Sequence, residues 1–122
     1  MILVDSSGWI EYLAARPRAD QFAPYIEGDE PLVTSVIQVY EIYKVVRRDI
    51  SEERAIESIS VLHATRIESL EESLALEAAD IALEHGLAMA DAIIFATARK
   101  HDADIVTAAS DFDGLPGVRL IR

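Results

Sequence analysis

An α/β domain with a mostly parallel sheet is the fold this sequence predicts. Two features predict it. Short apolar runs (MILVD, PLVTS, TRIESL, ADIVTA, GVRLIR) are separated by longer stretches of helical periodicity, the pattern of strands joined by crossover helices. The first run also ends in an acid, as a buried strand does when its carboxyl end meets a ligand crevice. No repeat, low-complexity tract or Gly/Ser/Pro-rich linker divides the 122 residues. Residues 1–122 therefore read as a single domain with one core.

The elements follow in order. MILVD is a strand. SSGWIEYLAA is a helix with Trp9, Ile10 and Leu13 at helical spacing and Ser6 as N-cap. ADQFAPYIEG is a second short helix closed by Gly28. PLVTS is the second strand, and Thr34 or Ser35 caps the helix VIQVYEIYKVVRRD, whose expected inner side is Val36, Val39, Tyr40, Tyr43 and Val46. SEERAIESISVLHA opens on Ser51 and turns Ile56, Ile59 and Leu62 or His63 inward. After TRIESL, the helix EESLALEAADIALEHG ends with His85 and Gly86, which suit the helix dipole and a left-handed C-cap. AMADAIIFATARKH, ADIVTA and GVRLIR complete the chain. Trp9, Tyr12, Phe22 and Phe95 are expected in the core. The acids at 52, 53, 68, 71, 72, 77 and 84 are expected on solvated helix faces, and His63, His85 and His101 at surface or cap positions.

Composition excludes several chemistries. There is no cysteine, so disulfide, thiolate and zinc-thiolate sites are out. The net charge of -11 argues against a broad basic face for nucleic acid and suggests a cationic partner. No apolar run approaches the roughly 18 residues of a membrane span, and MILVDSSGWIEYL lacks the basic start of a signal peptide. A cytoplasmic protein without a membrane partner is expected.

The stretch LAMADAIIFATARK places one carboxylate, Asp91, inside an apolar run. A helix apolar on all sides is normally buried, and burying a lone carboxylate is costly. Three more acids occupy comparable places: Asp5 after the first strand, Glu41 in the helix after the second, and Asp111 after DIVT. Taken singly, each has an ordinary use. Asp5 suits a cap, Asp91 a helix N-terminus, Glu41 a solvated face and Asp111 a turn. Taken together, on a sheet whose ligands sit at strand carboxyl ends, they form a repulsive cluster that oxygen-binding cations such as Mg²⁺ or Mn²⁺ would relieve.

The segments ILVDSSGWIEYL, TSVIQVYEI, LAMADAIIFATARKHDADIVT and SDFDGLPGVRLI, in this order, resemble the PIN domain, and more closely the VapC toxins of VapBC toxin–antitoxin pairs. The resemblance spans essentially the whole chain. It implies a three-layer α/β/α PIN-like fold with a mostly parallel sheet of four or five strands in the order 3-2-1-4-5. It also implies a Mg²⁺- or Mn²⁺-dependent endoribonuclease that leaves a 5′-phosphate. Asp5, Glu41, Asp91 and Asp111 match the family's four acids as catalytic and metal-binding residues, with Ser7 and Thr107 as supporting hydroxyls. One position departs from the pattern. Ala109 stands where many relatives carry Asp or Asn, which leaves a second cation to weaker ligands, Asp113 or water.

In the implied reaction, cation chemistry activates a water for in-line attack on an RNA phosphodiester, with Glu41 as second-ion ligand or general base. Lys44, Arg47, Arg99 and Lys100, with Arg16, Arg18 and Arg48, are candidates to attract the RNA. The implied partners are a VapB-like antitoxin with a basic C-terminal segment and a second copy of the chain. Trp9, Tyr12, Phe22, Tyr25, Val36, Ile37, Val39 and Tyr40 serve either the core or a homodimer face. Two other metal-binding folds fit less well. A receiver domain wants adjacent acids where Ser6 follows Asp5 and a late lysine that is missing here. A haloacid-dehalogenase-type phosphatase wants an acid where Ser7 stands. A catalytically weak PIN-like module that binds RNA or protein is the remaining alternative.

Overall fold

The computed structural model describes residues 1–122. Its strands are β1 (Ile2–Val4), β2 (Val33–Ser35), β3 (Arg66–Glu68), β4 (Asp104–Thr107) and β5 (Val118–Leu120). The helices are α1 (Ser6–Leu13), α2 (Ala19–Ile26), α3 (Val36–Asp49), α4 (Glu52–Leu62), α5 (Glu72–His85) and α6 (Met89–Lys100), and a 3-10 turn spans Ser110–Phe112. All strand pairs are parallel. β1, β4 and β5 form one ladder and β2 and β3 another. A single parallel bridge, Ile2 to Leu32, joins the two ladders beside β2. The resulting order, 3-2-1-4-5, is the one expected.

Alternation along the strands builds the layers, because successive side chains face opposite sides. Leu3 and Ile105 point into a core with Leu74, Ala78 and Ile81 of α5 and Ile93 to Ala96 of α6. Ile2, Val4 and Val106 point the other way, into a core with Trp9 and Ile10 of α1, Phe22 of α2, Ile42 and Val46 of α3, and Ala55 and Leu62 of α4. Trp9, Phe22 and Phe95 are thus core residues, whereas Tyr12 is only partly buried. Trp9 and Phe22 are enclosed within the chain and supply no dimer face. No single helix is long and apolar enough to cross a membrane.

Beyond the Ile2–Leu32 bridge, β1 and β2 part, and a side chain fills the gap. Gln38 is completely buried. Its Nε2 donates to the Val4 carbonyl (2.8 Å) and its Oε1 accepts from Ser35 N–H (3.0 Å). The carboxamide stands in for the missing rungs of the ladder. Ser35 and Gln38 together form a capping box at the start of α3, a Ser-x-x-Gln signature readable in the sequence.

Several expectations change. α1 is capped by Asp5, whose carboxylate accepts from Gly8 N–H, and not by Ser6. On α3 the buried residues are Gln38, Ile42 and Val46, and Val36 and Tyr40 are exposed. Apolar residues surround this helix on most sides, so periodicity alone could not choose its inner face. On α4 the buried set is Ala55, Ser58 and Leu62, and Ile56 faces solvent. Gly28 does not close α2 as a left-handed cap. Its place is set by close approach, since a Cβ there would lie 2.6 Å from the Pro24 carbonyl oxygen. Gly86 does cap α5, at φ 68°. Glu68 is not on a helix: it ends β3 and pairs with Lys100 and, at 3.3 Å, with His101, which closes α6.

Two changes test this packing. A methyl group at Gly8 would meet Phe22 Cε1 at 2.5 Å and Val4 Cγ1 at 2.9 Å, so Gly8→Ala is expected to cost about 1–3 kcal/mol by overpacking. Gln38→Leu strands two buried backbone groups and is expected to cost about 2–4 kcal/mol. Both losses are read as a lower denaturant midpoint in equilibrium unfolding.

Candidate active site

The carboxyl ends of β1 and β4 open into a cleft of about 180 Å³, lined by Asp5, Ser6, Ser7, Glu41, Asp91, Ile94, Ala109, Asp111 and Phe112. Each acid arrives by a different route. Asp5 follows β1 directly. Glu41 lies in the second turn of α3, Asp91 in the first turn of α6, and Asp111 in the 3-10 turn after β4. Parallel topology makes this convergence possible, because strand ends and the helices near them gather at one edge.

Asp5 is the most constrained of the four. It is 5% exposed. Oδ1 accepts from Gly8 N–H (2.8 Å), and Oδ2 accepts from the hydroxyls of Ser7 (2.9 Å) and Thr107 (2.6 Å). A carboxylate offers about four acceptor positions, so three are used and Oδ1 keeps one. Burial pushes its pKa up, against the lowering effect of Thr107, Gly8 and Ser7. Thr107 is itself fully buried and receives Ala109 N–H at 3.0 Å, so its hydroxyl hydrogen is directed at Asp5. Glu41 accepts from Ser6 Oγ at Oε1 (2.7 Å). Ser6 thus acts on Glu41, a role that its reading as a cap missed. Only the tertiary approach of α1 and α3 reveals it.

Asp91 is half-buried at the start of α6. Its pKa is raised to about 6, first by desolvation and then by the charges of Asp111, Glu41 and Asp5; no hydrogen bond counters these effects. The cleft lining contains four acids and no Lys, Arg or His. The apolar residues after Asp91, Ala92 to Ala98, are buried in the core and hold the helix in place.

The other expected residues divide by location. Ser7 and Thr107 join the site through Asp5. Asp113 is exposed and outside the cleft lining. Ala109 does line the cleft, leaving that position apolar. Lys44 and Arg47 lie on α3, beyond Glu41. Arg99 and Lys100 stand at the opposite end of α6 from Asp91, nine residues or about 13 Å along the axis. There Arg99 lies over the Phe95 ring (5.8 Å) and Lys100 is engaged by Glu68.

The family model of the PIN domain matches residues 2–118. This chain belongs to the PIN domain family. The PIN domain described here is similar in fold to a toxin–antitoxin complex from Klebsiella pneumoniae, with TM-score 0.80 and 27% identity over 98% of this chain and 96% of that one. It is similar in fold to the VapC20 toxin of Mycobacterium tuberculosis, which cleaves the sarcin–ricin loop, with TM-score 0.77 and 21% identity over 93% of this chain and 92% of that one. FitAcB from Neisseria gonorrhoeae aligns at TM-score 0.72 and 22% identity, over 100% of this chain and 97% of that one. No curated protein sequence matches the chain.

The donor set of this PIN domain fits a hard divalent cation. Every ionisable group in the cleft is a carboxylate, the repulsion among them is uncompensated, and Asp5 and Glu41 are oriented by hydrogen bonds. The acids are spread around the cleft rather than closed into a finished cage of three. That spacing leaves one or two carboxylates to any one cation, and water and phosphate oxygens commonly fill the remaining positions of Mg²⁺.

The raised pKa of Asp91 has a stability consequence. The folded state holds its proton more tightly than the unfolded chain, so Asp91 lowers stability as pH rises from about 4 through about 6. In EDTA, Asp91→Asn is therefore expected to melt above the wild type at pH 7.5, with the gap closing near pH 4. The size is reduced by solvent screening. Thermal unfolding across that pH range measures it.

Proposed function

We propose that this PIN domain is a divalent-metal-dependent endoribonuclease and the toxin of a toxin–antitoxin pair. One observation carries the reading: Asp5, Glu41, Asp91 and Asp111, from four separate segments, line a single cleft that contains no basic residue. The likeness to the Klebsiella toxin–antitoxin complex supports the toxin role.

Asp5, Asp91 and Asp111 would hold Mg²⁺ or Mn²⁺, one or two of them directly and the rest through bound water, with Glu41 at a second position. A bound divalent cation supplies Lewis-acid polarisation of the phosphoryl oxygens and lowers the pKa of water. The chain's residues do the rest. Ser7, Thr107 and the Gly8 amide fix the Asp5 carboxylate, so that it does not reorganise during the reaction. Ser6 holds Glu41 Oε1, which leaves Oε2 to take a proton from the attacking water. A bond forms between the water oxygen and phosphorus, the bond from phosphorus to the 3′ oxygen breaks, and a proton reaches that leaving oxygen. The products carry a 5′-phosphate and a 3′-hydroxyl. Without a cation, Asp91 has a pKa of about 6. Protons therefore compete with the cation there, and the Mn²⁺ concentration needed for half-maximal cleavage should rise in mild acid.

The same carboxylates suit inhibition by an antitoxin's basic C-terminal segment. An arginine guanidinium would pair with two carboxylate oxygens and occupy the place of the cations.

The test is cleavage of a short fluorescent RNA by purified protein in Mn²⁺. EDTA is expected to abolish it, and Asp5→Asn and Asp91→Asn each to lower it by more than about 100-fold, beyond what the loss of an indirect ligand contact costs. Asn is a good N-cap, so α1 should survive the change at position 5. Undiminished cleavage by both variants would overturn the assignment.

A further inference from the structure

The outward side of α3 poses a separate question. Val36, Tyr40, Tyr43, Lys44 and Arg47 fall at the i, i+4, i+7, i+8, i+11 spacing of one helical stripe. Such a stripe usually marks a buried face. Here the buried residues are Gln38, Ile42 and Val46, and Val36, Tyr40, Lys44 and Arg47 face solvent, with Tyr40 59% exposed, while Tyr43 is partly buried against the core. Tyr40, Tyr43, Lys44, Arg47 and Arg48 line a broad concavity of about 770 Å³. The Lys44 ammonium lies 4.9 Å from the Tyr40 ring centroid and forms no ion pair with a carboxylate. Arg47 is paired with Glu52 (2.9 Å), and Arg48 with Asp49 (2.7 Å). In a chain with a net charge of -11, three bases within five residues make a local exception.

We infer that this face binds the unpaired RNA strand flanking the scissile phosphate, with Tyr40 as a base-stacking platform and Lys44 as its phosphate contact. The inference rests on the ribonuclease reading. Two observations select this occupant. Aromatic rings interleaved with cations match the alternation of bases and phosphates in a single strand. Lys44 lies three residues after Glu41, which makes the two neighbours on the surface of α3, so a strand whose phosphate enters the acid cleft meets Lys44 and the Tyr40 ring beneath it next. A duplex would keep its base faces stacked away from Tyr40.

The face thereby provides the attraction that an acidic protein needs for an anionic substrate. Glu41 to Arg48 spans about 10 Å along the helix, so the contact is local and does not require a basic surface elsewhere.

The test uses a fluorescein-labelled single-stranded RNA of roughly ten nucleotides, within the site sizes single-strand binders cover. Binding is measured by anisotropy in EDTA to prevent cleavage. Tyr40→Ala and Lys44→Ala are each expected to weaken binding roughly 5- to 50-fold, Tyr40→Phe to bind as the wild type does, and a hairpin duplex to bind more weakly than the single strand. In Mn²⁺, KM for the single strand should rise by more than kcat changes. Wild-type affinity in both alanine variants, alongside wild-type cleavage, would overturn this inference and leave the nuclease reading standing. So would sedimentation showing that Tyr40→Ala splits a dimer, since the face would then belong to a second copy. Wild-type protein that neither binds nor cleaves RNA would overturn both.

Discussion

The Asp5 carboxylate is where three parts of the structure meet. Its backbone extends β1 and donates to the Val106 carbonyl of β4. Its Oδ1 caps α1 through Gly8, and its Oδ2 receives the buried Thr107 hydroxyl at the end of β4. A buried charge is tolerated only when such bonds replace its hydration. Here the bonds that make burial tolerable also fix the carboxylate's position at the rim of the cleft. Stability and site geometry therefore depend on the same hydrogen bonds. The small residues beside Asp5 belong to this arrangement, since Gly8 leaves room for Phe22 as well as donating its amide.

Glu41 reaches the cleft because the sheet opens between β1 and β2. If the two strands stayed paired along their length, α3 would begin hard against β1. Instead, Gln38 occupies the gap, satisfies Val4 and Ser35, and ties the start of α3 to the end of β1. Glu41 follows one turn later, close enough for Ser6 to hold it. β1 is also the point from which the chain builds outward in two directions, to β2 on one side and β4 on the other. That is where open parallel sheets place their ligands.

Electrostatics divides the molecule into unlike regions. The cleft gathers four acids with no compensating base, and after desolvation, which is the larger cause, their charges push the Asp91 pKa up. Elsewhere several acids are matched locally: Glu68 with Lys100, Glu30 and Asp104 with Arg119, Asp49 with Arg16 and Arg48. Many others lack an ion pair, as the net charge of -11 requires; the cleft is distinguished by bringing four acids into one lining. Lys44, which covers Tyr40, and Arg99, which lies over Phe95, are bases that face a ring instead of a carboxylate.

Much of this was legible in the amino-acid sequence. The alternation of short apolar runs and helical segments specified the parallel α/β class. Acids placed after strands or in the adjacent helices named Asp5, Glu41, Asp91 and Asp111 as one group, and the family resemblance supplied the strand order. These signals are local: they depend on period, on residue type and on position relative to an element end. The inner face of α3 was not legible in this way, because Val36, Val39, Tyr40, Tyr43 and Val46 satisfy helical periodicity about as well as Gln38, Ile42 and Val46 do. Only packing against α1, α4 and the sheet decided between them, by placing a glutamine at the one point where two backbone groups lacked partners, leaving Tyr40 outside and Tyr43 at the margin of the core. The same holds for Ser6 and for the ends of α6. Which carboxylate a hydroxyl holds, and which bases stand near a cleft, depend on distances between segments that are remote in sequence, and those distances exist only once the layers have closed.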